Sequence, residues 1–73
     1  MRNEQEKQKL FGKNIAKYRK AKKLTQNQLS EKLDISREHL AKIETAKRGI
    51  SMSLIYKICE ILEVDEKDLF DFE

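Results

Sequence analysis

One short pattern, repeated along the chain, constrains the fold more than any other feature of the sequence. It consists of an apolar residue, a Ser, Thr or Asp, three further residues, and a second apolar residue. Ser, Thr and Asp are favoured at helix N-caps, and the flanking apolar residues can pack together as a hydrophobic staple. The copies are Leu24-Thr25 with Leu29, Ile35-Ser36 with Leu40, Ile50-Ser51 with Ile55, and Val64-Asp65 with Leu69. Each copy predicts the start of a helix.

Another helix is predicted before the first copy, from Leu10 onward. Phe11, Ile15 and Tyr18 have the spacing of residues on one face of an α-helix. The 73 residues contain no Pro and only two Gly, so local preference favours helix nearly throughout. We therefore expect an all-α fold in which five helices form a single domain at residues 10–73, with no sheet.

Residues 1–9 show no apolar periodicity. Asn3 with Glu6 could cap a helix that begins early. We expect these residues to form a basic N-terminal arm that frays.

Charge is distributed unevenly along the chain, although the net charge is only +3. Residues 1–23 hold nine Lys and Arg against two Glu, whereas residues 60–73 hold seven acidic residues against Lys67. This split favours a basic face that binds a polyanion and an acidic end that points away from it. Charged ends can also serve solubility alone.

The sequence lacks the residue combinations that catalysis and cofactor binding require. It has no paired nucleophile and base, no Gly-rich phosphate loop and no set of metal ligands, since His39 and Cys59 are each the only residue of their type. We expect no enzyme activity, no metal, no cofactor and no small-molecule ligand. No apolar run approaches the roughly 20 residues of a membrane span, and Cys59 lies in an apolar segment typical of a buried thiol. A cytoplasmic protein without a membrane partner is therefore expected.

The second and third helices are predicted to be short and closely linked. Helix 2 should run from Thr25 to near Asp34, and helix 3 from Arg37 to about Thr45, with only about three residues between them. Helix 3 should bury Leu40 and Ile43. Its other faces should expose side chains that can read base edges, although a solvated surface helix often carries the same residue types. These side chains are Arg37, Glu38, His39 and Lys42.

The segment after helix 3 forms a compact basic corner. Lys47 and Arg48 are candidates for phosphate contacts, and Gly49 is expected to supply a flexible turn. Ser36, which opens helix 3, is a further phosphate candidate because helix N-termini attract anions.

Taken together, these motifs resemble those of the helix-turn-helix repressors of the lambda-repressor and Cro type, the XRE family. The resemblance spans most of the chain. It rests on Ile15-x-x-Tyr18-Arg19, Leu24-Thr25-Gln26-x-x-Leu29, Ile35-Ser36, Ile43-Glu44, Gly49 and Leu62-x-Val64. It implies a compact lambda-repressor-like domain whose helix-turn-helix is formed by helices 2 and 3.

The resemblance also implies roles for individual residues. Gln26 would contact a phosphate, and Arg19 with Glu44 would form a structural ion pair. The early positions of the recognition helix would read bases, which here means Arg37 and Glu38. In the same way Lys42 matches a position that commonly reads a base, and His39 lies beside these residues.

Two positions depart from the family's pattern. Asp34 stands in the turn where relatives often have Gly, and Asp tolerates a left-handed conformation better than most residues. Glu63 stands where Gly often ends helix 4, so that helix is expected to finish less sharply.

The function that this reasoning favours is a sequence-specific regulator of transcription, of bacterial or phage type, that binds double-stranded DNA and acts as a repressor. Helix 4 carries more apolar surface than one small core needs, with Leu54, Tyr56 and Ile61 around its edges. We therefore expect a homodimer through the helix 4 and 5 region and a near-palindromic operator. The alternative is a protein-interaction module on the same fold, such as an antitoxin or a regulatory subunit.

Overall fold

The computed structural model describes residues 2–72. Met1, the first residue of the predicted arm, and Glu73, the last residue of the predicted domain, lie outside the described residues. Within the described residues the chain forms five α-helices and no strand, which confirms the all-α fold. The helices are α1 Glu4–Ala21, α2 Gln26–Leu33, α3 Arg37–Glu44, α4 Met52–Leu62 and α5 Glu66–Leu69.

The four predicted helix starts are confirmed, together with their caps. Thr25, Ser36 and Ser51 are N-caps, and each side-chain oxygen accepts the backbone N–H three residues on at 3.0–3.2 Å. Asp65 is the N-cap of α5, and its backbone N–H donates to the Asp68 carboxylate at 3.0 Å. The staple residues that precede these caps all pack against the core. Local signals thus determine where α2 to α5 begin.

Helix α1 begins within residues 1–9, at the cap that Asn3 and Glu6 predict. The helix begins at Glu4, and the Asn3 side chain accepts the Glu6 backbone N–H at 2.8 Å. The first turn carries Glu4 and Glu6, whose charges complement the positive end of the helix dipole. A good cap followed by strong helix formers therefore extends α1 without apolar residues.

Each of the first four helices is followed, within two residues, by a residue other than glycine in the left-handed conformation. These residues are Lys23, Asp34, Ala46 and Glu63, with φ between 58° and 62°. The backbone N–H of the next residue donates in each case to a carbonyl five residues back, at 2.8–3.1 Å. This is the Schellman arrangement, which satisfies carbonyls that the helix leaves unpaired.

The helix ends correct one expectation. Glu63 ends α4 sharply, so the looser end predicted there was wrong. After α3 the left-handed residue is Ala46, and the φ of Gly49 is not positive. At the α2 end, Asp34 takes the left-handed conformation that was expected to preserve the turn.

The core is formed by apolar side chains from all five helices. Ile15 of α1 lies at its centre, fully buried. The other buried members are Phe11, Leu29, Leu33, Leu40, Ile43, Ile55, Ile58, Cys59, Leu62 and Leu69. The side chain of Asn14 joins α1 to the C-terminal segment by donating to the carbonyls of Leu69 and Asp71 at 2.9 and 3.0 Å.

Gly12 lets α1 approach the end of α3 closely. A Cβ atom built on Gly12 would lie 2.8 Å from the Ile43 carbonyl oxygen and would also meet the Glu44 carbonyl oxygen. Only a residue without a side chain fits at this crossing. The close approach sets where α3 lies relative to α1.

Candidate nucleic-acid interface

The turn between α2 and α3 holds the two helices at a defined angle. It consists of Asp34, Ile35 and Ser36. Asp34 is left-handed, Ile35 packs against the core, and Ser36 caps α3. With every turn residue held in this way, the position of α3 depends on α2 and the core rather than on a flexible loop.

Helix α3 buries one face and exposes the other. Leu40 and Ile43 are buried, whereas Arg37, Glu38 and Lys42 are exposed. His39 is half-buried, and its backbone N–H donates to the Ser36 hydroxyl. The structure therefore brings the expected base-reading residues together on the first two turns of one short helix.

The exposed face of α3 contains an ion pair that sequence reasoning did not predict. Glu38 Oε1 lies 3.2 Å from Lys42 Nζ, one helical turn away. No ion pair among residues 2–72 includes Arg37. An exposed pair of this spacing contributes only about 0.3–0.5 kcal/mol, so Glu38 and Lys42 can separate readily when another partner is offered.

The basic corner lies directly after α3. Lys47 and Arg48 are both exposed. The Lys47 backbone N–H donates to the Lys42 carbonyl at 2.8 Å, which holds the corner against the last turn of α3. Two exposed cationic side chains thus follow directly after the last turn of α3.

The structure brings Arg19 and Glu44 together as a buried ion pair. Arg19 Nε lies 2.8 Å from Glu44 Oε2, and Arg19 Nη2 lies 3.1 Å from Glu44 Oε1. The two side chains are only 9% and 5% exposed. Arg19 Nη1 also donates to the Leu24 carbonyl at 2.8 Å. This geometry joins the end of α1, the start of α2 and the end of α3.

Gln26 belongs to the same group of contacts. It lies in the first turn of α2, half-buried, and its Nε2 donates to Glu44 Oε1 at 3.0 Å. Sequence reasoning missed this contact, and it also missed the close approach at Gly12. Both join residues far apart in the chain, and neither has a local signal.

An apolar cavity lies where α1, the α3–α4 loop and the C-terminal segment meet, and Arg48 of the basic corner is among its lining residues. Its volume is about 360 Å³. Phe11 and Phe70 stack beside it with ring centroids 4.7 Å apart. Among residues 2–72, the large apolar side chains that remain exposed are Met52, Tyr56 and Phe70.

No group of three or more His, Cys, Asp or Glu side chains within residues 2–72 is placed to hold a metal ion. Across the same residues, no helix is both long enough and apolar enough to cross a membrane. Burial, with smaller contributions from Glu66, Asp65 and Asp68, raises the pKa of the Cys59 thiol above its ordinary value, so the thiol is neutral near pH 7.

Comparisons with known proteins agree with this geometry. The family model for a helix-turn-helix domain matches residues 15–69. Control protein C.BamHI of Bacillus amyloliquefaciens is 36% identical over 64 residues, which make up 86% of this chain and 79% of that protein. The uncharacterized HTH-type transcriptional regulator MJ0272 of Methanocaldococcus jannaschii is 39% identical over 56 residues, 77% of this chain and 85% of that protein.

A solved structure shows the same fold. The restriction-modification controller protein C.AhdI from Aeromonas hydrophila superimposes with a TM-score of 0.80 and 27% identity, over 85% of this chain and 94% of that one. The family model covers most of the chain, and the two relatives are matched over 79% and 94% of their own lengths. The chain therefore belongs to the helix-turn-helix family.

Proposed function

We propose that this chain is a transcriptional regulator that binds double-stranded DNA sequence-specifically and reads the major groove with α3. The observation that carries this proposal is the exposed polar face of α3. Gln26 at the start of α2 is bonded to Glu44 at the end of that helix, and the Lys47–Arg48 corner follows directly after it. A helix of this length fits the major groove, where every base pair presents a distinct pattern of donors and acceptors. Membership of the helix-turn-helix family supports the same conclusion.

The polar residues divide into two groups by their chemistry. Arg37 can donate two hydrogen bonds to guanine O6 and N7, and Glu38 can accept one from cytosine N4. Lys42 can reach a further guanine or a phosphate, and His39 lies beside them on the same helix. The phosphate-binding group consists of Gln26, Ser36, Lys47 and Arg48, which lie at helix starts or in the basic corner.

The active form proposed here is a homodimer that associates through the α4 and α5 region. Met52 and Tyr56 on α4 are 56% and 54% exposed, and Phe70 after α5 is 49% exposed. Exposed apolar patches often mark interaction sites, and Met and aromatic residues are enriched in protein interfaces. Two recognition helices in one dimer would then contact half-sites about 34–36 Å apart on a near-palindromic operator. Sedimentation should give a dimer at tens of micromolar, and a monomer both free and on DNA contradicts this part of the proposal.

Repression is the regulatory outcome proposed here. A dimer seated on an operator that overlaps a promoter blocks polymerase by occupancy alone and needs no further surface. Two relatives are named as a control protein and a controller protein, which supports a role in gene expression. A promoter fused to a reporter should lose activity when the protein is expressed, and an increase in activity contradicts repression.

The most direct test of the function is selection of bound sequences from a random duplex pool, followed by a salt titration on the selected site. A shared near-palindromic sequence is expected. The logarithm of the binding constant should fall linearly with the logarithm of the salt concentration, because bound lysines and arginines release counterions. No sequence preference together with no salt dependence contradicts the proposal and favours a protein-interaction module instead.

A further inference from the structure

The Gln26 side chain joins the surface expected to face DNA to the buried ion pair beneath it. Its Nε2 atom donates to Glu44 Oε1 at 3.0 Å. The same oxygen accepts from Arg19 Nη2 at 3.1 Å, and Glu44 Oε2 accepts from Arg19 Nε at 2.8 Å. Gln26 is half-buried, whereas Glu44 is buried. The Gln26 side chain of α2 is therefore bonded to the buried carboxylate of Glu44 in α3.

The chemistry of the carboxylate determines which way the Gln26 amide points. An ionised carboxylate only accepts hydrogen bonds, so the amide must present its NH₂ group to Glu44 rather than its oxygen. The NH₂ group carries two protons. One is used by Glu44, and the rigid plane of the amide then determines the direction of the other.

The ion pair also removes an electrostatic obstacle. A lone carboxylate close to the DNA surface would repel the phosphates. Arg19 binds Glu44 through two nitrogens, so the pair is neutral as a unit. Glu44 can then orient a neighbouring side chain without adding net negative charge to the interface.

We infer that Glu44 is a positioning residue for a phosphate contact made by Gln26. Glu44 holds one Nε2 proton and thereby directs the second proton toward a phosphate oxygen, and both hydrogen bonds persist in the DNA complex. This inference rests on the proposed function. It assigns the Arg19–Glu44 pair a part in DNA affinity in addition to its part in the fold.

The test compares Gln26→Ala in two backgrounds on the selected duplex. One is the natural chain, and the other carries Arg19→Met with Glu44→Leu, since apolar replacement of a whole buried pair is often tolerated. In the natural chain, Gln26→Ala should lower affinity about tenfold. The salt dependence should not change, because glutamine carries no charge that releases counterions. In the apolar background the same substitution should lower affinity less than about twofold.

A matched control is Lys47→Ala, which should have the same effect in both backgrounds because Lys47 does not contact the ion pair. An equal loss from Gln26→Ala in both backgrounds overturns the inference, since Gln26 would then reach the phosphate without Glu44. Absence of sequence-specific binding by the natural chain overturns the proposed function instead. The two failures are thus distinguishable.

A second measurement uses the natural chain and does not depend on the apolar background folding. The two side-chain amide protons of Gln26 can be followed by nuclear magnetic resonance during titration with the duplex. The proton bonded to Glu44 should keep its chemical shift, and the other should move to a hydrogen-bonded position when DNA is added. Loss of the Glu44-bonded shift on DNA binding means that Gln26 leaves Glu44 to reach the phosphate, and it overturns the inference.

Discussion

At the scale of single residues, Gly12 is a position where a side chain does not fit without a shift of the backbone. Replacement by Ala would place a Cβ atom against the carbonyls of Ile43 and Glu44. Overpacking typically costs about 1–3 kcal/mol, while the better helix propensity of Ala returns up to about 1 kcal/mol. Because the obstructing atoms are backbone, we expect Gly12→Ala to lower the free energy of unfolding by about 2 kcal/mol in denaturant titrations.

Gly49→Ala is the matched control, because no atom lies within 4 Å of a Cβ built there and its φ is not positive. This variant should be neutral or slightly more stable, since Ala restricts the unfolded chain more than Gly. Equal effects of the two substitutions contradict a close contact between α1 and α3 at Gly12.

Ala46 offers the opposite case, a residue with a side chain where glycine is better suited. Its φ is 62°, in the left-handed region that disfavours most residues. Ala46→Gly should therefore raise the free energy of unfolding by about 0.5–1 kcal/mol and Tm by about 3–6 °C. Ala41→Gly, inside α3, is the control and should lower stability by about 1 kcal/mol. A lower Tm for Ala46→Gly contradicts the left-handed end of α3.

Local sequence signals predict some features of the fold but not the conformations and contacts of these residues. The starts of α2 to α5 could be predicted because a cap and its staple lie within a few residues of one another. The ends of α1 and α4 could not, because Lys23 and Glu63 adopt a left-handed conformation without the glycine that usually signals it. Gly12 has no local signal either, since its contact is with α3, far along the chain.

At the scale of helices, the Arg19–Glu44 pair joins α1 to α3. Removing one partner of a buried pair leaves an uncompensated charge, which costs about 3–5 kcal/mol when burial is deep. Each single Ala variant should therefore be markedly less stable, and the double variant should be less destabilised than the sum of the two. Chemical unfolding of the four proteins measures this coupling.

The exposed pair between Lys22 and Glu63 is the control for that cycle. Lys22 Nζ lies 2.7 Å from Glu63 Oε1, but the two side chains are 38% and 74% exposed. The Lys22 ammonium donates to Glu63 and lowers the pKa of that carboxyl below its ordinary value. The coupling energy between Lys22 and Glu63 should be far smaller than that between Arg19 and Glu44, because water screens both charges. Additive effects in the Arg19 and Glu44 cycle contradict the buried geometry.

The basic corner of Lys47 and Arg48 is expected to contribute to DNA affinity but not to sequence preference. Lys47→Ala or Arg48→Ala should lower affinity for all duplexes about equally and reduce the salt slope by roughly one unit for each lost phosphate contact. The preferred sequence should stay the same. A changed preference shows that the corner reads bases, and the division between phosphate-binding and base-reading residues is then wrong.

At the scale of the whole molecule, the family resemblance and the helix starts were enough to predict the fold. The site was predictable in part. The exposed face of α3 follows from the burial of Leu40 and Ile43, whereas the pairing of Glu38 with Lys42 depends on side-chain conformations that the sequence pattern does not specify. The contact of Gln26 with Glu44 depends on the packing of α2 against α3, which local patterns do not reveal.

The reading of base pairs by α3 is tested most directly by Arg37→Ala. Arg37 is exposed at the start of α3, and no ion pair among residues 2–72 includes it. Its guanidinium can therefore meet a guanine without breaking an internal contact. The measurement is the ratio of affinities for the selected duplex and for random DNA, in the natural chain and in the variant. Arg37→Ala should weaken binding to the selected site by about 1–3 kcal/mol and to random DNA far less, so the ratio shrinks. An unchanged ratio contradicts the assignment of α3 as the recognition helix.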